Sequence, residues 1–273
     1  MLKRFGIHTN AYYNYLLGKK TGYYEQRKKA CAAIKKIYHD TEGVLGHRNM
    51  KIFLSREGFS LSKTTIHKYM NKQLGLKSIC RRKKPGYKKG YAHRIFPDLV
   101  GRNFKTDRIN HIWCADFTYL NLSNGVIRYN CTIIDLFDRS VVSSVNGKWI
   151  NSHLAVSTLE KALKSQGQLR GELILHTDQG SQFTSMEFTR FCLENRIIQS
   201  MSRAGCPYDN APMERFYNTM KSELVYQYHF RNDEELDSAI YEFSYGWYNM
   251  VRPHSFNGYL TPYEARQNLG QIR

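Results

Sequence analysis

Apolar and polar positions follow two different periods along this chain, and the change between them falls near residue 110. Before that point, apolar residues recur every three to four positions, which is typical of helices with one buried face. After it, short apolar or alternating runs are separated by turn residues, as strands are. The pattern therefore predicts a helical N-terminal part, followed by a larger part that mixes strands with helices.

The N-terminal part predicts three helices, over residues 23–39, 47–57 and 62–75. Gly58 ends the second helix, and Ser62 is a typical N-cap for the third. Two helices joined by a short glycine turn have the outline of a helix-turn-helix, although an ordinary small helical bundle would give the same pattern. In a helix-turn-helix, the side chains expected to face DNA are Lys63, Thr64, Thr65 and Lys68.

The second part predicts an α/β fold. Asn124-Gly125 lies between the first two apolar runs and is a strong signal for a hairpin. A later strand–helix–strand step implies parallel pairing, so the sheet is mixed and covered by helices. The predicted strands are 112–122, 125–137, 139–147, 171–178 and 198–202, and the predicted helices are 151–167, 185–197, 209–227 and 232–250.

Composition sets the broad class of protein. The 273 residues are 41% hydrophobic, enough for a full core, and contain no run of 18 apolar residues that could cross a membrane. The N-terminus has no apolar segment typical of a secretory signal. The six cysteines form no metal-binding spacing, which favours a reduced, cytoplasmic setting.

The net charge of +18 is concentrated in one part of the chain. Residues 1–109 carry 26 Lys and Arg against 6 Asp and Glu, whereas residues 110–273 carry 15 against 17. So dense a positive charge is typical of a surface that binds nucleic acid. We expect a helical DNA-binding region at 1–78, a basic linker at 79–109 and a larger, nearly neutral part at 110–273. Linker side chains expected to contact phosphates are Arg81, Arg82, Lys83, Lys84, Lys88 and Lys89.

Three acidic residues stand out in the second part. Asp116 lies inside an apolar strand, and Asp178 ends another. Glu214 lies near the start of a helix, with Asn218 and Lys221 on the same helix face. Carboxylates held close together repel unless a cation lies between them, and oxygen ligands suit a hard divalent ion. Each acid alone could instead be a helix cap or a surface charge, and Asp209 and Asn210 fit that interpretation as N-caps.

The residues around these acids are distinctive as a set. They comprise WCADFTYL, HTDQGSQFTS, SRAGCPYDNAPMERFYNTMKSEL and YNMVRPHSFNGYLTP, with 35 residues between Asp178 and Glu214. The arrangement resembles the retroviral-integrase-like catalytic core of DDE transposases. It is similar to the OrfB-type protein of a large bacterial insertion-sequence family, over about residues 110–265. The segment Leu45-Gly46-His47-Arg48 departs from that family's usual YGYRR.

The resemblance implies an RNase H-like fold and metal-dependent transfer of DNA strands. Asp116, Asp178 and Glu214 would be the catalytic residues and would hold two Mg²⁺ ions, for which Mn²⁺ should substitute. Lys221 resembles the DNA-contacting lysine of the family's glutamate helix, and His176 is a possible auxiliary residue. The alternatives are an RNase H-like nuclease or resolvase that only hydrolyses DNA, and an inactive DNA-binding regulator.

The same resemblance suggests partners. We expect DNA, as insertion-sequence ends and target, and a homo-oligomer assembled on it. An upstream-frame OrfA-type protein, alone or as a frameshift fusion, is a further expected partner. The expected location is the bacterial cytoplasm, in association with the nucleoid and not with a membrane.

Overall fold

The structure is a computed structural model that describes residue 4 and residues 8–79, 94–169 and 171–270. The chain divides into two compact units, residues 1–80 and residues 81–273. Among the described residues, no helix combines the length and the apolar character that crossing a membrane requires.

The first unit is helical. Helix α1 spans Thr9–Leu16, α2 Thr21–Asp40, α3 His47–Arg56 and α4 Lys63–His67, and α4 continues as a π-helical segment, Lys68–Gln73. The last three helices pack around a core that excludes water and stabilises the unit. Its fully buried side chains include Ile34, Leu45, Met50, Leu54, Ile66 and Met70.

The turn between α3 and α4 has the predicted chemistry. Gly58 adopts φ +85°, a left-handed conformation that suits glycine. The Ser62 hydroxyl accepts the N–H of Thr65 at 3.1 Å and so caps α4. The helices and the turn predicted from the sequence are therefore present.

The second unit contains a five-stranded sheet. Its strands are β1 (Ile112–Asn121), β2 (Ile127–Asp135), β3 (Val141–Gly147), β4 (Leu173–Thr177) and β5 (Ile197–Met201). Their order is β3-β2-β1-β4-β5, with antiparallel pairing among the first three and parallel pairing of β1 with β4 and of β4 with β5. The mixed sheet predicted from the sequence is confirmed.

Helices cover both faces of the sheet. They are α5 (Ser152–Gln166), α6 (Met186–Glu194), α7 (Ala211–Met220), α8 (Asp233–Tyr241) and α9 (Pro262–Gly270). The π-helical segments Lys221–Val225 and Glu242–Val251 extend α7 and α8. Helix α9 lies beyond the elements that the sequence predicts.

Alternation along β1 sends side chains to two separate cores. Trp113 and Ala115 pack in the core under α5 and α6. Cys114 and Leu120 pack with residues of α7 and α8 on the other face. Since Asp116 shares the parity of Cys114, its side chain belongs to the face that α7 covers.

Side chains from the segment that extends α8 form hydrogen bonds with backbone groups of the edge strand β3. The Ser144 N–H donates to the Tyr245 hydroxyl at 2.9 Å. The Asn249 amide accepts the N–H of Val141 at 2.8 Å and donates to its carbonyl at 2.9 Å. An edge strand otherwise leaves such backbone groups unpaired, so these contacts fix the helix to the sheet.

Residues 94–109, which the sequence assigns to the linker, pack on the second unit. Val100 is buried in the core beside α7. The Met201 N–H donates to the Pro97 carbonyl at 3.3 Å, and the Leu99 N–H donates to the Ser200 hydroxyl at 2.9 Å. The boundary of the compact unit therefore lies closer to the N-terminus than residue 110, because apolar residues inside this basic segment reach the core.

Candidate active site

Asp116 lies in the middle of β1, opposite Thr132 of β2. Its Oδ1 accepts the N–H of Phe117 at 2.7 Å. The side chain is half-buried on the face covered by α7. The strand thus presents a carboxylate at a point where the sheet would otherwise continue an apolar core.

Asp178 follows β4 directly. The parallel register pairs Cys114 with His176, so Asp116 and Asp178 each lie two residues beyond a paired position, and the charge of Asp178 acts on Asp116. Asp178 Oδ1 accepts the N–H of Gly180 at 2.9 Å. A Cβ at Gly180 would stand 2.8 Å from that same oxygen, so a larger residue there would push the Asp178 carboxylate out of its present position.

Glu214 comes from the first turn of α7. Pro212 occupies that turn too, where its missing N–H costs nothing. The helix is held against the sheet by Met213, Phe216 and Met220, all buried. Glu214 is left half-buried on the side of α7 that carries Asn218 and Lys221.

The three carboxyl groups act on one another electrostatically. Burial raises the pKa of Asp116 well above its usual value, and the charges of Asp178 and Glu214 raise it further. The Phe117 N–H and the Lys221 ammonium oppose that rise only in part. Displacement of water by neighbouring protein also raises the pKa values of Asp178 and Glu214. The site is therefore an acidic cluster with less positive charge than its carboxylates require.

The donors in this cluster fit a hard divalent cation. All are carboxylate oxygens, and two of the charges already act on Asp116. In the part of the chain that the structure describes, no group of three His, Cys, Asp or Glu side chains is close enough together to hold a metal ion as it stands. A cation would have to draw the carboxylates together, and relief of their mutual repulsion favours that movement.

Lys221 lies beside the acids. Its Nζ is 5.0 Å from the centre of the Tyr119 ring. Burial lowers its pKa, and the Asp116 carboxylate opposes that change. Asn218, one turn closer to Glu214, is exposed. Both predicted DNA-contacting residues of this helix therefore lie on the open side of the site.

His176 is fully buried, and both ring nitrogens are engaged. Nε2 donates to the Asp209 carbonyl at 2.9 Å, since a carbonyl can only accept, and Nδ1 then accepts from the Ser200 hydroxyl at 2.9 Å. Burial lowers the pKa of the ring. His176 thus joins β4 and β5 to the segment before α7, and its contacts give it a structural role.

Asp209 and Asn210 do not cap α7 as the sequence suggests. The helix begins after a 3₁₀ turn, Pro207–Asn210, and the Asn210 side chain makes no cap hydrogen bond. The buried Asp209 carboxylate instead accepts from Arg102 at 2.6 Å and from Arg203 at 2.9 Å. These two guanidinium groups hold the pKa of Asp209 well below its usual range. Arg102 lies in the segment taken as linker, so sequence spacing could not reveal this pairing.

The structure shows two further features that the sequence analysis missed. The Tyr217 hydroxyl of α7 donates to the backbone carbonyl of Asp116 at 2.6 Å. Arg252 forms an ion pair at 2.7 Å with Glu223, in the segment that extends α7. A tyrosine and a glutamate three and nine residues after Glu214 carry no distinctive sequence signal, because their partners come from distant parts of the chain.

Of the predicted DNA-contacting residues in the first unit, Lys63, Thr64 and Lys68 are exposed. Thr65 is half-buried, and its hydroxyl lies 2.8 Å from that of Ser62. The linker residues named as phosphate contacts fall outside the described residues; they are Arg81, Arg82, Lys83, Lys84, Lys88 and Lys89.

A mixed five-stranded sheet in the order β3-β2-β1-β4-β5, with helices on both faces, is typical of an RNase H-like, integrase-type core. The integrase core domain family matches residues 106–207, and a second integrase core domain family matches residues 195–262. An HTH-like domain family matches residues 25–84, which confirms the helix-turn-helix interpretation of the first unit over the ordinary bundle.

Similarity to known proteins identifies the family more closely. The transposase for insertion sequence element IS904 from Lactococcus lactis is 31% identical over 87% of this chain and 93% of its own length. Transposase InsF for insertion sequence IS3A from Escherichia coli is 29% identical over 77% of this chain and 72% of its own. The chain belongs to the insertion-sequence transposases with an integrase core, and it is a polynucleotidyl transferase.

Among solved structures, a chain of the simian T-cell lymphotropic virus intasome, in complex with a PP2A regulatory subunit, is similar to this one. It has 20% sequence identity and a TM-score of 0.49, and the match covers 85% of this chain and 74% of that one.

Proposed function

We propose that Asp116, Asp178 and Glu214 are the catalytic residues and that they hold divalent metal ions for cleavage and transfer of insertion-sequence ends. One observation carries this proposal. Three carboxyl groups, from β1, the end of β4 and α7, come near enough to one another that the charges of two of them raise the pKa of the third. Structural ion pairs lower the pKa of a carboxyl group, as at Asp209, whereas these acids lack that compensation.

Two Mg²⁺ ions, or Mn²⁺ in their place, would stabilise the attacking and leaving oxygens of an in-line displacement at phosphorus. The chain's own residues supply the rest. Asp116 would hold the ions together with the other two acids, whose charges both act on it, and the Gly180 N–H orients the Asp178 carboxylate. Lys221 and Asn218 continue the face of α7 beyond Glu214, where a DNA strand would meet them.

We assign binding of DNA ends to residues 1–78 and phosphate contacts to the basic stretch at 79–109. Lys63, Thr64 and Lys68 are exposed on and just after α4, the second helix of the motif. Transposition joins DNA ends to a target, so a homo-oligomer on DNA fits the reaction. An OrfA-type partner remains part of the proposal as a source of further DNA contacts.

The test is metal-dependent joining of a labelled oligonucleotide that carries an insertion-sequence end. Wild-type protein should produce a joined product in Mg²⁺ or Mn²⁺. Asp116→Asn, Asp178→Asn and Glu214→Gln should each lower joining by at least about a thousandfold while DNA binding persists. Glu160→Gln, an exposed acid on α5 paired with Lys164, is the matched control and should join normally.

Each remaining outcome has a meaning. Cleaved but unjoined DNA would favour the nuclease or resolvase, and no reaction in either metal would favour the inactive regulator. Retained joining by one of the three variants would remove that residue from the site.

A further inference from the structure

Helix α7 carries one side chain that reaches into the backbone ladder of the sheet. The Tyr217 hydroxyl accepts the N–H of Thr132 at 3.1 Å and donates to the carbonyl of Asp116 at 2.6 Å. These two residues are directly opposite each other in the antiparallel pairing of β1 with β2. In a regular ladder their N–H and C=O groups would bond to each other. The hydroxyl therefore stands where a backbone hydrogen bond would be.

The position of this hydroxyl links two of the proposed metal ligands. Asp116 is one of the two residues that it joins, and Tyr217 lies three residues after Glu214 on the same helix, less than one turn away. Tyr217 is buried, and its ring packs 5.4 Å from that of Phe216. A rigid helix fixed at Tyr217 is also fixed at Glu214, so one contact sets the separation of the backbone at Glu214 from the backbone at Asp116.

We propose that Tyr217 is a positioning residue: its hydroxyl, inserted between Asp116 and Thr132, fixes the backbone of Asp116 relative to that of Glu214, so that a metal ion need only draw the two side chains together. This inference rests on the proposed metal site. Without the hydroxyl, the two backbone groups would either close onto each other, which moves Asp116 along the sheet, or stay unpaired in a buried place. Either rearrangement of the backbone would change the geometry of the proposed metal ligands, although all three carboxylates would still be present.

Tyr245 provides a matched control. Its hydroxyl accepts the N–H of Ser144 at 2.9 Å and also interacts with the Ser143 side chain, so it too joins a helical segment to the sheet. Ser144 is opposite Thr132 on β3, and β2 separates it from Asp116. Tyr245→Phe should therefore reproduce the general loss of a helix-to-sheet hydrogen bond, with no effect on the acids.

The experiment measures Mn²⁺ binding by titration calorimetry, together with urea unfolding, for full-length wild type and variants. Tyr217→Phe should weaken Mn²⁺ binding by about ten- to a hundredfold, as loss of a residue that orients a metal ligand does. Tyr245→Phe should bind Mn²⁺ within about twofold of wild type, at a similar cost in stability. Replacing Tyr217 with 4-aminophenylalanine, whose amino group can still donate to the Asp116 carbonyl, should restore most of the affinity.

The outcomes separate the two proposals. If wild type binds no Mn²⁺, or if Asp116→Asn binds it equally well, the proposed metal site is wrong and this inference is wrong with it. If wild type binds Mn²⁺ and Tyr217→Phe binds it as tightly, the positioning role alone is overturned. Equal weakening in both Tyr variants would also overturn it, since general loosening of the helix would then suffice. If Tyr217→Phe does not fold, the 4-aminophenylalanine variant decides the question. A folded 4-aminophenylalanine variant that does not bind Mn²⁺ would overturn the positioning role.

Discussion

His254 shows at the scale of a single residue how surroundings decide the state of a side chain. Its Nδ1 accepts the N–H of Phe256 at 3.2 Å. Burial, together with the positive charges of Arg252, Arg139 and Arg215, lowers its pKa to about 4. The ring is therefore neutral near pH 7 and caps the short 3₁₀ turn that follows it. In the sequence, His254 is one residue of the segment YNMVRPHSFNGYLTP, and nothing there indicates its role.

This environment predicts a dependence of stability on pH. The unfolded chain takes up a proton at His254 as the pH falls below about 6.5, whereas the folded chain does so only near pH 4. Wild type should therefore lose up to about 2 kcal/mol of unfolding free energy between pH 7 and pH 5, relative to His254→Asn. Asparagine keeps a cap acceptor but cannot titrate, so urea unfolding of both proteins at pH 7, 6 and 5 measures the difference. Parallel pH profiles would contradict the assignment.

At the scale of elements, Glu223 and Arg252 join the segment that extends α7 to the end of the segment that extends α8. Arg252 donates to Glu223 Oε1 at 2.7 Å and the Trp247 indole donates to Oε2 at 3.0 Å. The two side chains are only 16% and 9% exposed. An ion pair shielded in this way resists competition from water, so it fixes the direction of α7 beyond Lys221.

Breaking this pair should destabilise the protein measurably. Glu223→Gln leaves the Arg252 guanidinium without its counter-charge in a mostly buried place, so we expect a loss of about 3 kcal/mol in unfolding free energy. Glu194→Gln is the matched control, because the pair of Glu194 with Arg190 on α6 is largely exposed and its loss should cost less than about 1 kcal/mol. Equal effects in chemical denaturation would mean that the buried pair contributes nothing special.

Elements with a strong pattern could be predicted from the sequence. The Asn124-Gly125 hairpin, the alternation along β1 and the mixed sheet all appear in the structure, because period and turn chemistry act locally. The sequence suggested Asp209 as the N-cap of α7. In the structure its carboxylate binds Arg102 and Arg203 instead, and the helix begins at Ala211. The packing of residues 94–109 on the sheet was not predicted. The many basic residues of this segment indicated a linker, although Val100 and Phe104 reach the core.

In the candidate site, too, residues with a local sequence pattern could be predicted, and residues that depend on long-range contacts could not. Asp116, Asp178 and Glu214 could be named from their neighbours along the chain, whereas Tyr217 acquires its contact only when α7 lies on β1 and β2. His176 looked like an auxiliary residue from its place two positions before Asp178. Its partners, Ser200 and the Asp209 carbonyl, come from distant parts of the chain and make it structural.

At the scale of the whole molecule, positive charge is concentrated in the N-terminal part of the chain. The basic residues of the first 109 positions contrast with a nearly neutral remainder, so binding to phosphates and chemistry at phosphorus are assigned to different parts of the chain. That division predicts that DNA affinity depends on salt through the N-terminal cations, whereas catalysis depends on the acids of the second unit.

Replacing the exposed Lys63 and Lys68 with alanine should test this division. If each contacts one phosphate, the slope of log affinity against log salt should fall by about 1 for each residue, as fewer counterions are released. Lys164→Ala, an exposed lysine on α5, should leave the slope unchanged. Binding titrations over a range of salt concentrations measure both, and an unchanged slope in the double variant would place the phosphate contacts elsewhere.

The most direct test of the central claim is a crystal structure of the protein with Mn²⁺ and an insertion-sequence end, with the metal located by anomalous scattering. The account predicts metal peaks within about 2.5 Å of carboxylate oxygens from Asp116, Asp178 and Glu214. Metal bound elsewhere, or an Asp116 carboxylate that contacts no metal in a DNA complex, would contradict it.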